Sequence, residues 1–373
     1  MKMTKLSLVA VLAVSSAFAG GDIAPVEPVV VEPVVAVAVV PATTISGKAT
    51  IYGITDDSAY DLFKKESSQV GLGVTLDVSH KVTDWLTANF SVLGYVNTIE
   101  DTPNWGNFEN NDKGAFFNVA NLTATYADTT LVAGRQLLGT PMLQGYDWLL
   151  APGSFEAYTL MNNSVDNLTL VGSYVTKHRG NNSGEFGNDL PGDNYALGAM
   201  YDDKTIDGSV WYYNVDAGNY TQVYVDLGYN FGAFKVAGQY ATTDAATDTS
   251  AFGIMASTSV AGFDLSAAYN RLQDGNTAYV GWNGLYTNQW NLSVADQYNG
   301  QDLNAFKVAA ATTFMGVSAE LSYADYDKGN ETDLILGYDI NDKIDTGFVY
   351  TNTKANGANN AVNQVEVFAN YKF

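Results

Sequence analysis

The sequence predicts an all-β fold: a transmembrane antiparallel up-and-down β-barrel of about 18 strands. Three observations predict it. Segments of about ten residues alternate apolar and polar side chains with a period of two. The 373 residues include 13% aromatics, 24 Tyr and 35 Gly but only 16% charged residues, an aromatic load too heavy for an ordinary soluble core. The connections alternate between tight and long, with proline confined to segments that read as loops.

The amino terminus reads as an export signal. Lys2 and Lys5 precede an apolar run from Leu6 to Val14, and Ala17-Phe18-Ala19 presents small residues before Gly20. The run is shorter than the ~20 residues of a spanning helix. Cleavage would remove two of the 18 basic residues and none of the 40 acidic ones, leaving a formal charge of −24. Residues 22–44, "DIAPVEPVVVEPVVAVAVVPATT", hold Pro25, Pro28, Pro33 and Pro41, which forbid a continuous helix. The chain thus divides into a signal peptide (1–19), a Pro/Val-rich periplasmic linker (20–45) and a barrel (46–373).

Strand after strand follows. The first is "GKATIYGIT" (47–55); Leu86, Ala88, Phe90 and Val92 mark another. In 166–177, Leu168, Leu170, Gly172 and Tyr174 alternate with Thr169, Ser173 and Lys177, and in 221–231 Val223, Val225, Leu227, Tyr229 and Phe231 alternate with Gln222, Tyr224 and Asp226. Phe234, Val236 and Tyr240, then Phe263, Leu265, Ala267 and Tyr269, then Ile344, Phe348 and Tyr350 repeat the pattern. By parity Lys177, Asp226, Lys235, Asp264, Lys307 and Glu320 face the lumen, while Val225, Val236, Leu265 and Leu321 face lipid.

A soluble sandwich is the competing use of such strands, but its strands average about 5–6 residues, whereas a tilted bilayer crossing takes ~9–11. Pro103, Pro141, Pro152 and Pro191 fall in loops, as a closed ladder requires. Tight connections such as "NFGAF", "VAGF" and "FMGV" suit the periplasmic side, and long ones such as 98–115 and 177–194 the outside. The count is 18 if 272–302 is one outer loop and 20 if "TAYVGWNGL" and "QWNLSVADQY" form a further hairpin.

The chain closes on "QVEVFANYKF". Val365, Val367, Ala369, Tyr371 and Phe373 share an oily face, Glu366, Asn370 and Lys372 the other, with Phe368 out of pattern. This strand must close against the first. Its aromatic end resembles the signature that outer-membrane barrels present to their assembly machinery, which makes that machinery and outer-membrane lipid expected partners.

The stretch "LVAGRQLLGTPMLQGYDWLLAPGSFEAYTL" (131–160) carries the site expectation. Between two strands, Met142, Leu143, Trp148, Leu149 and Leu150 are too apolar for a loop in water, so the segment is expected to fold into the lumen. Its residues Gly134-Arg135-Gln136, Thr140-Pro141, Leu149-Leu150 with Pro152, and Ser154-Phe155-Glu156-Ala157 resemble the OprD-type outer-membrane porins, especially an epsilonproteobacterial branch with a Pro/Val/Glu-rich mature amino terminus. The resemblance implies an 18-stranded pore narrowed by its third loop. Ala157 and Ala151-Pro152-Gly153 depart from that family's pattern, and with only Arg135, Arg179 and Arg271 its basic ladder is barely represented, so its substrate class does not carry over. The candidate constriction is Arg135, Tyr146, Asp147, Trp148 and Glu156, with Arg135 facing Asp147 and Glu156 across the narrowest point. Parity leaves Arg135 ambiguous, because Leu131, Ala133 and Leu137 share its face.

Enzymatic chemistry is not expected. The chain has no Cys, and His80 and His178 read as solvated turn residues without a neighbouring nucleophile motif. The aspartate-rich 323–333 stretch lacks the spacing of a calcium loop and reads as a solvated acidic loop; no cofactor or metal is expected. The acidic balance opposes nucleic acid. The function expected is passive diffusion of ions and small hydrophilic solutes with cationic preference. A substrate-specific uptake channel and an adhesive surface barrel are the alternatives, and assembly into a homotrimer is left open.

Overall fold

The structure is a computed structural model that describes residues 42–97, 113–145, 150, 152–180, 183–187 and 189–373. The expected signal peptide, most of the linker, Pro103 and the long 98–112 connection lie outside the described residues.

The strands run β1 (Thr43–Asp56), β2 (Ser68–Thr83), β3 (Leu86–Asn97), β4 (Lys113–Tyr126), β5 (Thr129–Gln136), β6 (Gly139–Thr140), β7 (Leu143–Gln144), β8 (Ser154–Val165), β9 (Leu168–Arg179), β10 (Asn194–Asp202) and β11 (Ile206–Val215). They continue with β12 (Tyr220–Asn230), β13 (Lys235–Asp244), β14 (Thr249–Val260), β15 (Phe263–Gln273), β16 (Val280–Gly281), β17 (Leu303–Phe314), β18 (Val317–Tyr326), β19 (Gly329–Asn341), β20 (Ile344–Lys354) and β21 (Val362–Lys372). Eighteen form one antiparallel sheet in which each pairs with its neighbours in sequence; β6, β7 and β16 form a separate small sheet. β1 pairs with both β2 and β21, so the large sheet is a closed barrel without an edge.

The closing contact explains the terminal aromatic. Gly47 and Phe373 exchange both backbone hydrogen bonds, at 2.9 and 3.0 Å. A Cβ on Gly47 would stand 2.7 Å from the Phe373 ring, so only glycine seats that ring against β1. β1 begins at Thr43, slightly ahead of the expected boundary, because β2 is long enough to pair Thr43 with His80.

Alternation decides which face is which. Along β12, Gln222 and Tyr224 are buried while Val223, Val225, Leu227 and Tyr229 are exposed on the outside, and along β21 Val367 and Tyr371 are exposed outside while Glu366 is buried within. Phe368, out of pattern in the sequence, turns inward and packs against Tyr52, Leu93 and Phe116. One rim has connections of only two to four residues. Ala261-Gly262 and Met315-Gly316 both have positive φ, the geometry whose twist matches a two-residue hairpin.

Three readings are corrected. The expected count of 18 strands holds, but residues 274–302 form neither an outer loop nor a hairpin in the wall: they fold inside the barrel, with Thr287, Val294 and Ala295 fully buried. The 323–333 stretch is no solvated loop; β18 and β19 turn tightly there, and alternation carries Glu331 and Asp333 to the buried inner face. His178 lies in β9 and stacks on Phe155 at 4.7 Å, and His80 lies in β2, its Nδ1 2.8 Å from the Thr43 hydroxyl.

Candidate pore constriction

Two segments cross the lumen. The first lies between β5 and β8, where 137–145, 150 and 152–153 are described; Leu138, Met142 and Leu143 are buried there beside Leu285, Leu292, Val294 and Ala295 of the second, 274–302, which joins β15 to β17. They are also joined by backbone. β7 lies parallel to β16, and the amides of Val280, Trp282 and Gly284 donate to the carbonyls of Met142, Gln144 and Pro141 at 2.8–2.9 Å. Tyr213 on β11 supports the first segment, donating to Thr140 Oγ1 at 3.1 Å while its hydroxyl oxygen accepts the Met142 amide at 3.3 Å. At the far end Leu150 reaches the opposite wall, where it packs with Tyr52, Ile54, Leu93, Tyr95 and Phe116. Gly73 makes room, since a Cβ there would sit 2.8 Å from the Leu150 side chain.

The second segment is held mainly by polar contacts. Gln222 donates to the Ala278 carbonyl (2.8 Å), Asn270 Oδ1 accepts from the Thr287 amide (2.9 Å), Tyr326 donates to the Thr287 carbonyl (2.7 Å), and the Lys307 ammonium donates to the Asn288 carbonyl. Glu331 accepts the amides of Asn291 (2.7 Å) and Leu292 (2.9 Å), Asp333 that of Trp290 (3.0 Å), and Glu366 the Trp290 indole N–H (2.8 Å). Buried backbone needs such partners, and this loop takes them from six strands of the wall. Its polar residues made it read as an outer loop. The inward-facing carboxylates at 331, 333 and 366 were the sequence signal for something donor-rich inside.

The expected site residues divide. Tyr146, Asp147 and Trp148 lie outside the described residues. Asp226, Lys235, Asp264, Lys307 and Glu320 stand on the inner face: the Ser209 hydroxyl donates to Asp226, Lys235 pairs with Asp207, the Ser259 hydroxyl donates to Asp264 at 2.6 Å, and Glu320 and Asp264 line a cavity of about 190 Å³ with Trp290 and Phe368.

Arg135, Glu156 and Lys177 are placed elsewhere. Phe155 and Ala157 are fully buried toward the lumen, so Glu156 between them shares the outer face with Tyr158 and Leu160. Arg135 is its register partner and shares a face with exposed Leu131. Lys177 follows an extra residue: Ala157 pairs with Val175 and Glu156 with Lys177, so the bulge at Thr176 turns the lysine outward. There Arg135 pairs with Glu185 (2.7 Å) and lies over the Phe186 ring, and Lys177 pairs with Asp189 (3.3 Å). They form a cluster of ion pairs at the outer rim.

None of the three arginines presents its guanidinium to the lumen. Arg179 is fully buried, donating to the Gly184 and Pro152 carbonyls above the Phe116 ring, and Arg271 stands on the outer face with Asp302. The inner wall near the tight-turn rim is polar instead: Thr50 donates to Asn370, which donates to Asp345, which pairs with Lys372 at 2.7 Å.

No protein-family model and no curated sequence matches the chain. Among solved structures it is similar to Pseudomonas aeruginosa OccK9 (OpdG), with a TM-score of 0.74 at 17% identity over 89% of this chain and 98% of that one. OpdK of the same organism, solved with vanillate, gives 0.75 at 14% identity over 89% and 98%. The BenF-like porin of Pseudomonas fluorescens Pf-5 gives 0.75 at 13% identity over the same shares. The chain has the fold of these bacterial porins: a closed barrel of 18 antiparallel strands.

Proposed function

We propose that the chain is an outer-membrane porin of the OprD type through which ions and small hydrophilic solutes diffuse passively, with preference for cations. The observation that carries this reading is the polarity of the closed wall. Its outside is a belt of Val, Leu, Ile, Phe and Tyr that only hydrocarbon covers without penalty, and its inside carries hydrogen-bonded polar groups such as Gln222, Glu331, Asp333 and Glu366 beside an apolar cluster that packs the two crossing loops. A barrel of this strand number encloses water. The Pro/Val/Glu-rich 22–44 segment supports the epsilonproteobacterial branch.

Cation preference rests on the inner wall. Asp77, Asp207, Asp226, Asp264, Glu320 and Asp345 face inward against Lys48, Lys235, Lys307 and Lys372, and a narrow low-dielectric passage focuses that imbalance. With no arginine offered to the lumen, a pathway that grips carboxylated solutes through guanidinium forks is disfavoured. Asp147, with Tyr146 and Trp148, remains our candidate for the lining of the narrowest point. Phe373, seated in the seam, is the proposed handle for barrel assembly. Liposome swelling tests the channel. Vesicles carrying the protein should swell in neutral solutes up to a size limit; absence of swelling would favour a surface barrel that binds partners through its loops.

A further inference from the structure

We propose that Glu331 and Asp333 form a backbone clasp that fixes the 274–302 segment in the lumen, and that Glu331 is the positioning residue that sets the open cross-section. The inference rests on the channel reading above. Three successive amides, those of Trp290, Asn291 and Leu292, all donate to these two carboxylates, at 2.7–3.0 Å. Such a run of N–H groups makes a local concentration of positive dipole that suits an anion. Both acceptors stand two residues apart on the inner face of β19 and are essentially inaccessible, Glu331 at 0% and Asp333 at 1%.

The two oxygens of Glu331 each take one amide, so its geometry matters as much as its charge. In Glu331→Gln the amide nitrogen would face a backbone N–H, donor against donor, and one buried N–H would lose its acceptor. Glu366 offers a contrast on the seam strand β21, two strands away from β19. Its oxygens accept hydrogen bonds from Trp290 Nε1, Tyr52 and Gln364, and no backbone N–H of the loop donates to it. In Glu366→Gln the amide oxygen can still accept from the indole while the nitrogen donates to the Tyr52 hydroxyl, which rotates to accept. Each substitution replaces one buried carboxyl group in the same region. An account based on charge predicts equal effects; the clasp predicts unequal ones.

Single-channel recording of the full-length protein in planar bilayers separates them. Glu331→Gln should raise conductance roughly two-fold or more, with flickering, and admit larger neutral solutes in liposome swelling, because the released segment no longer obstructs the lumen. Glu366→Gln should conduct like the wild type. Equal changes in both variants, or no change in Glu331→Gln, would overturn the clasp. If Glu331→Gln does not fold into the barrel, Asn291→Pro removes one clasping N–H from the loop side and must reproduce the rise; wild-type conductance in that variant would overturn it equally. A wild-type protein that does not conduct would instead refute the channel reading.

Discussion

The two segments that cross the lumen are held there by different physics. The segment between β5 and β8 is seated by apolar side chains, with Leu138, Met142 and Leu143 buried at one end and Leu150 at the other. The 274–302 segment is seated by hydrogen bonds from the wall, and its Asn283, Thr287, Gln289, Ser293 and Gln297 are themselves buried. Apolar seating is tolerant of small displacements, because dispersion and burial are not directional. Polar seating fixes a position, because each buried donor left without its acceptor costs about 1–3 kcal/mol. The first segment therefore fills space, and the second defines a shape.

That difference can be broken from either side. Leu143→Ala should have the largest effect, about 2–5 kcal/mol lost where the two segments meet, since it empties a fully packed site beneath both. Thermal unfolding of the purified barrel, with channel noise as the local readout, would check it. Gly73→Leu should cost about 1–3 kcal/mol by forcing Leu150 from its seat, and should alter conductance without moving the second segment. Asn288→Ala removes the acceptor of the Val294 amide and a donor to the Asn283 carbonyl, so about 1–3 kcal/mol of local stability should go from the polar loop alone, visible as faster amide exchange there. Asp147→Asn should leave stability unchanged and weaken cation preference by a small shift in reversal potential; unchanged selectivity would remove Asp147 from the narrowest point.

Much of the barrel was legible because a period of two is enforced by the boundary between oil and water. Val225 against Asp226 and Leu265 against Asp264 could be assigned from parity alone. Lys177 could not, because parity survives only while every residue is paired, and Thr176 is an unpaired insertion that no composition signal announces. Arg135 was ambiguous by its own neighbours, and its partner Glu156 settles both on the outer face. The first crossing segment announced itself by apolar residues where water was expected. The second was hidden because a buried polar loop and a solvated one share a composition; they differ only in whether the wall opposite supplies acceptors, and residues 331 and 333 supply them from a stretch that resembled an acidic loop.

On the reading proposed above, the lumen is filled with water and its inner carboxylates favour cations. Reversal potential across a planar bilayer separating concentrated from dilute potassium chloride tests it most directly. The account predicts conductance with a potential of the sign set by potassium moving toward the dilute side, diminishing as salt screens the wall. A potential of the opposite sign, or a folded barrel that carries no current, would contradict it.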